Sequence, residues 1–105
     1  MTTTSPYGRD PALCGYPIRM SEMLATLDGP AYIARVSVHD VKHIMEAKKV
    51  IKKAFEMQMA GKGFTLVEVL STCPTNWGMT PQEALKWLQE KMIPQYPLGV
   101  KKEVE

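Results

Sequence analysis

Two short apolar runs separated by one long amphipathic stretch constrain this chain more than any other feature of its sequence. Residues 31 to 38 carry Tyr32, Ile33, Val36 and Val38, and residues 64 to 70 carry Phe64, Leu66, Val67, Val69 and Leu70. β-Branched and aromatic side chains at this density suit a pleated, packed surface. Neither run alternates cleanly between apolar and polar, which is how strands covered on both faces read in a parallel sheet. Parallel neighbours need a crossover between them, and the intervening stretch has the pattern of a helix. Asp40 is a good N-cap; Val41, Ile44, Ala47, Ile51, Ala54 and Phe55 form one stripe at helical spacing, with Lys42, Glu46, Lys49 and Lys53 opposite. At about 1.5 Å per residue this helix runs roughly 30 Å, enough to return along a strand of seven or eight residues rising about 3.3 Å each. Gly61 and Gly63 suit its end, where glycine supplies a left-handed backbone. The pattern predicts an α/β fold with parallel strands 31–38 and 64–70 joined by a right-handed crossover helix.

Flanking helices are expected over 18–27 and 80–93. In the first, Met20, Met23, Leu24 and Leu27 recur at helical spacing after Pro17, and Asp28-Gly29-Pro30 stops the run. The second opens on Thr80-Pro81-Gln82-Glu83, where threonine caps, proline fills the first turn and glutamate reaches back to the cap's N–H. Ala84, Leu85, Trp87, Leu88 and Met92 give its apolar side, and Pro94 is expected to end it. Residues 1–17 read as an N-terminal arm without apolar periodicity, residues 18–97 as the body of the domain, and residues 98–105 as a frayed tail.

Bulk properties exclude several classes. A chain of 105 residues is one domain at most. Its hydrophobic share of 45% and charged share of 23% are ordinary for a globular protein. A net charge of +2 is too small to imply nucleic acid, and no apolar run approaches the roughly 20 residues that cross a bilayer. No charged start followed by an apolar stretch marks a signal peptide, so Cys14 and Cys73 are expected as reduced thiols in the cytoplasm.

Chemistry concentrates in Ser71-Thr72-Cys73-Pro74-Thr75-Asn76-Trp77-Gly78, which follows the second strand directly. Loops at the carboxyl ends of strands are where open α/β sheets place ligands. Pro74 keeps Cys73 out of the helical region and so limits where the thiol can point. Cys73 then reads either as a ligand or contact residue at the rim of a site or as a small buried hydrophobe closing a strand. Arg35 and Glu68 are the sole charges of their strands; they pair if the strands are neighbours, or else face a sheet edge or partner surface. His39 and His43 are four apart, but His39 precedes the cap and no third ligand follows at a useful distance, so no metal site is expected from this pair. Lys48, Lys52 and Lys62 enrich the basic surface, a solvated helix face first and a docking patch for an acidic partner second. Trp77 is expected to pack under the helix that follows it. The many methionines suit a surface that packs against something larger.

Four stretches resemble one family, in the family's order: Thr2-Thr3-Thr4-Ser5-Pro6-Tyr7-Gly8-Arg9-Asp10-Pro11, Gly15-Tyr16-Pro17-Ile18-Arg19, residues 27 to 36, and residues 65 to 78 with the Cys-Pro-Thr loop. They are similar to the C-terminal part of the thiamine-diphosphate-binding (beta) subunit of 2-oxoacid:ferredoxin oxidoreductases. That resemblance implies a partial thiamine-diphosphate-binding fold and, for the intact enzyme, thiamine diphosphate, magnesium and a 4Fe-4S cluster. It implies as partners the remainder of the beta subunit, the alpha and gamma subunits, and ferredoxin. Such enzymes decarboxylate a 2-oxoacid oxidatively to an acyl-CoA and pass electrons to ferredoxin. The position matching the family's fourth cluster ligand is Cys73. The family's Gly-Asp-Gly and Cys-x-x-Cys motifs do not occur here, so this chain is expected to bind none of these cofactors alone and to be inactive by itself. Two other classes stand beside this one: an interaction module using the Cys73 loop and an exposed strand edge, and a thiol redox protein using Cys14 and Cys73. Open strand edges also predict self-association.

Overall fold

The computed structural model describes residues 8 and 10 to 104, leaving outside it residues 1 to 7, Arg9 and Glu105, and with them most of the stretch from Thr2 to Pro11. Its elements are α1 (Pro11–Cys14), α2 (Met20–Ala25), β1 (Pro30–Ser37), α3 (Val41–Met59), β2 (Phe64–Leu70), α4 (Pro74–Trp77), α5 (Pro81–Trp87), a π-helical turn (Leu88–Met92), α6 (Ile93–Gln95) and β3 (Gly99–Glu103). The chain is α/β, with a mixed three-stranded sheet in the order β2-β1-β3.

β1 lies in the middle and all eight of its residues are buried. It runs parallel to β2, with Ile33 opposite Leu66, Arg35 opposite Glu68 and Ser37 opposite Leu70. The strand–helix–strand unit predicted from the apolar runs is therefore present. Alternation along β1 divides its side chains between two layers. Tyr32, Ala34 and Val36 pack with Ala47, Val50, Ala54 and Met57 of α3. On the other face, Arg35 meets Glu22 of α2.

The tail expected to fray is instead β3, paired antiparallel to β1 with Tyr32 opposite Glu103 and Arg35 opposite Gly99. The Val104 N–H continues the ladder by donating to the Ala31 carbonyl at 2.9 Å. Without this strand, β1's second edge would leave buried backbone groups unpaired, and that cost outweighs the charged composition of Lys101-Lys102-Glu103. Lysines on an edge strand keep their ammonium groups at the rim, where Lys53 of α3 pairs with Glu103 at 3.3 Å.

Asp40 caps α3, its carboxylate accepting the His43 N–H at 2.8 Å. The buried face of this helix keeps Ala47 and Ala54 of the predicted stripe but adds Val50 and Met57, while Val41 and Phe55 are 77% and 65% exposed. Small alanines let the helix axis approach β1 closely, and that approach rotates the bulkier stripe toward the free side of β2. Gly63 follows the helix at φ +136°, and a Cβ there would stand 3.1 Å from the Gly29 carbonyl oxygen. Glycine is therefore needed where the chain turns beside the Asp28-Gly29 bend.

Thr80 caps α5 as predicted, its hydroxyl accepting the Glu83 N–H at 3.2 Å. Pro94 does not end this helical region. Leu88–Met92 widens into a π turn in which the Ile93 N–H reaches the Leu88 carbonyl, and one further turn holds Pro94. The wider turn takes up the proline that an α-helical register would exclude. The N-terminal arm, read as loop throughout, contains the single turn α1, whose first N–H groups are met by Asp10.

Candidate functional site

Because β1 and β2 run parallel and end in register, their carboxyl ends open on the same side of the sheet. Ser71-Thr72-Cys73 leaves β2 there, and Val38-His39-Asp40 leaves β1. Cys73 is half-buried, with φ −137° and ψ 72°, an extended conformation consistent with the restriction Pro74 imposes. The loop is tied down at several points. The Trp77 N–H donates to the Cys73 carbonyl at 3.0 Å and the Met79 N–H to the Pro74 carbonyl at 3.0 Å. Gly78 then takes φ +66°, the left-handed conformation that reverses the chain. Trp77 packs against Trp87 of α5 with ring centroids 4.6 Å apart, which is the structural role expected of it. Cys73 thus stands at a strand terminus on a short, braced turn, and Cys14 is exposed on α1; both are thiols.

A 4Fe-4S cluster takes four thiolates as a rule, and this sequence contains two cysteines. Cys73 fits the chemistry of one ligand, and the chain by itself lacks the set. Thiamine diphosphate does not fit these residues, since no Gly-Asp-Gly is present to hold its diphosphate and metal.

The exit of β1 carries a second polar group. His39 is buried, and its Nδ1 is hydrogen-bonded to the buried Ser37 hydroxyl at 2.7 Å. Its Nε2 lies 3.4 Å from Asp40 Oδ2, and His43 Nδ1 lies 2.7 Å from Asp40 Oδ1. The two imidazole rings are 4.2 Å apart. The histidine pair was expected to have no third group at a useful distance; the Asp40 carboxylate stands beside both rings, because the N-cap conformation turns it back over the first turn of α3. Burial, then the neighbouring His43, holds the His39 imidazole below its ordinary range. The His43 hydrogen bonds hold the Asp40 carboxyl low.

Behind these loops, Arg35 is completely buried and fully engaged. Its Nε donates to Glu68 Oε2 at 2.5 Å, and Nη1 and Nη2 grip both oxygens of Glu22 at 2.9 and 2.6 Å. Nη1 also donates to the Pro97 carbonyl at 3.2 Å, the Ser21 hydroxyl donates to Glu68 at 2.8 Å, and the Tyr96 ring lies 5.4 Å from the guanidinium carbon. Of the two readings open for Arg35 and Glu68, pairing is the one the structure shows. Burial alone would lower the guanidinium's proton affinity, but the two carboxylates reverse that. The cluster joins α2, β1, β2 and the segment before β3 and so fixes the strand ends from beneath.

Concavities among the described residues flank the sheet. A cleft of about 270 Å³ is lined by Ser37, His43, Glu46, Val50, Leu98 and Val100, among others. An apolar groove lies between α3 and the outer side of β2, lined by Ile51, Phe55, Thr65, Val67 and Val69. The lysines of α3 are exposed, Lys52 standing 4.0 Å from Glu56, as a solvated face requires.

The architecture defines a small α/β sheet with a parallel pair and a thiol at its carboxyl end. No family model and no solved structure matches the chain. It is 46% identical over 98 residues to ketoisovalerate oxidoreductase subunit VorA of Methanothermobacter thermautotrophicus, a match covering 93% of this chain and 20% of that subunit. It is 30% identical over 103 residues to 2-oxoglutarate synthase subunit KorB of Methanocaldococcus jannaschii, covering 89% of this chain and 35% of that subunit. With KorB of Archaeoglobus fulgidus the identity is 34% over 89 residues, 85% of this chain and 29% of that subunit. The chain is thus homologous to parts of oxidoreductase subunits and spans about a fifth to a third of the length of the curated relatives it matches. No helix among its described residues is long and apolar enough to cross a membrane.

Proposed function

We propose that the chain is the C-terminal part of the thiamine-diphosphate-binding (beta) subunit of a 2-oxoacid:ferredoxin oxidoreductase of the cytoplasm, inactive by itself. The observation that carries this is the 46% identity to a ketoisovalerate oxidoreductase subunit over 93% of the chain. The same comparison favours a branched-chain 2-oxoacid over 2-oxoglutarate as substrate, since identity to the 2-oxoglutarate synthase subunits is 30% and 34%. When bound in the intact enzyme, thiamine diphosphate with magnesium supplies the carbanion chemistry, and a 4Fe-4S cluster supplies the electron path to ferredoxin.

Within that reaction the work of this chain is positional. Cys73 contributes one thiolate to the cluster from the end of β2. The one-turn helix α4 and the Trp77–Trp87 contact keep that sulfur from swinging away. Arg35, by holding α2 and both parallel strands in one ionic cluster, keeps the strand ends in register. The remainder of the beta subunit covers the outer side of β2, and the alpha and gamma subunits complete the enzyme.

A second reading draws on one specific feature. Phe64 and Val69 are exposed on β2 beside an apolar groove, which suits an interaction module that binds a partner through this edge and the Cys73 loop. The reading frame on the N-terminal side separates the two. Gly-Asp-Gly, and farther upstream Cys-x-x-Cys, are the residues expected there; an in-frame stop codon immediately ahead of Met1 would overturn the oxidoreductase assignment and leave the module.

A further inference from the structure

At the carboxyl end of β1, His39, Asp40 and His43 bring two imidazoles and a carboxylate together, with one ligand atom from each lying within 4.8 Å of the others. We propose that this cluster is a binding site for a divalent transition metal of the zinc class, separate from the cluster chemistry assigned to Cys73. Imidazole and carboxylate are the donors that zinc takes alongside thiolate, at about 2.0 to 2.2 Å. Two donors at that distance on neighbouring corners of a tetrahedron stand roughly 3.4 Å apart. His39 Nε2 and Asp40 Oδ2 are 3.4 Å apart. That is long for a hydrogen bond and suited to an ion between them.

The surroundings orient these donors. The Ser37 hydroxyl, itself buried, occupies His39 Nδ1 at 2.7 Å and leaves Nε2 as the nitrogen presented to Asp40. A hydrogen bond on the far ring nitrogen is the usual support of a metal-ligating histidine. Asp40 is fixed by its capping bond to the His43 backbone N–H at 2.8 Å, so its carboxylate is held over the turn that carries His43. His43 Nδ1 shares a proton with Asp40 Oδ1 at 2.7 Å. On binding, the metal takes the place of that proton, which leaves to solvent or to His43 Nε2. The carboxylate also offsets the positive end of α3, which would otherwise disfavour a cation.

His43 also lines the cleft of about 270 Å³, together with Ser37 and Glu46. Three protein donors leave a tetrahedral ion one further position, for water or for an oxygen ligand entering from this cleft. Local spacing conceals the arrangement, because His39 and Asp40 are adjacent in sequence and only the break from strand to helix turns both toward His43.

The test is a zinc titration of the 105-residue chain without any affinity tag, followed by the ring-nitrogen resonances of the histidines. The same titration is run on a variant carrying both Cys14→Ser and Cys73→Ser, which removes thiolate sites. The expected result is saturation at one equivalent at micromolar zinc, with both histidine rings shifting, in both proteins. His43→Gln, which leaves the buried His39 in place, is expected to abolish saturation. Ser37→Ala is expected to weaken affinity by about tenfold through loss of the supporting hydrogen bond. Absence of saturable binding, binding that disappears with the cysteines, or binding that survives His43→Gln would each overturn the proposal. The amide spectrum of each variant shows that it is folded, and Asp40→Asn, which retains the cap, replaces any variant that is not.

Discussion

Arg35 and Glu68 stand directly opposite one another in the parallel register of β1 and β2, joined by a 2.5 Å hydrogen bond between Nε and Oε2. The guanidinium is completely buried, whereas the Glu68 and Glu22 side chains keep 30% and 33% of their exposure. The pair therefore sits where water screens one partner and not the other. Burying a guanidinium is costly, and what offsets the cost is complete satisfaction: every donor group faces a carboxylate or carbonyl. A slip in the register of β1 against β2 would part the guanidinium from Glu68 and leave a buried charge incompletely paired.

Breaking this cluster from its buried side is expected to be severe. Arg35→Ala should cost about 3 kcal/mol, the low end for a broken buried pair because both carboxylates can still reach water. Glu68→Gln, which keeps an acceptor oxygen, should cost about 1 kcal/mol. A double-mutant cycle with Arg35→Met and Glu68→Gln, read by urea unfolding, is expected to give a coupling of about 1 to 2 kcal/mol. A coupling below about 0.3 kcal/mol would show two neighbours that do not interact.

Stability should fall on acidification in two stages. Burial, then His43, keeps His39 below its ordinary value of 6.5, so below that pH the unfolded chain binds a proton that the folded chain resists. The Arg35 hydrogen bonds keep Glu22 below its ordinary 4.5, and there too the unfolded state binds more protons. With more protons on the unfolded state, stability rises with pH in both windows. It is lost first as pH falls below 6.5 and again below 4.5, through each folded value. Urea midpoints across this range check the sign, and His39→Gln is expected to remove the upper stage while leaving the lower.

The outer side of β2 should drive self-association of the isolated chain. Val69 is 43% exposed on that strand and Phe55 is 65% exposed beside it. Exposed apolar strand edges pair with other copies, and a lysine on the edge is how natural sheets prevent it. Sedimentation velocity is expected to show concentration-dependent dimers or larger species, and Val69→Lys is expected to return the chain to monomer. A monomer at all concentrations for the unaltered chain would contradict this.

Much of the architecture was legible because two signals agreed over β1, α3 and β2: β-branched runs for the strands and a capped 3.6-residue period for the helix. Thr80 and Trp77 were legible for the same reason, since capping and ring packing are local. The third strand was not. Its pairing with β1 joins Lys102 to Ile33 and Val100 to Ala34 across most of the chain, and nothing local separates Val100-Lys101-Lys102-Glu103-Val104 from a charged tail. The buried face of α3 was legible only in Ala47 and Ala54: Val41 and Phe55 are strongly apolar and exposed, and Val50 and Met57 take their place on the sheet side. At the site, the exit position of Cys73 was readable from strand, loop and proline. Asp40 as a third donor beside His39 and His43 was not, because a sequence pattern of i and i+4 presumes one continuous helix.

The most direct test of the oxidoreductase assignment is the iron content and cluster EPR spectrum of the whole enzyme containing this stretch, compared between Cys73→Ser and Cys14→Ser. The account predicts that Cys73→Ser loses iron and alters the cluster signal while thiamine diphosphate still binds, and that Cys14→Ser keeps the full complement. A Cys73→Ser enzyme with wild-type iron and an unchanged spectrum would contradict it.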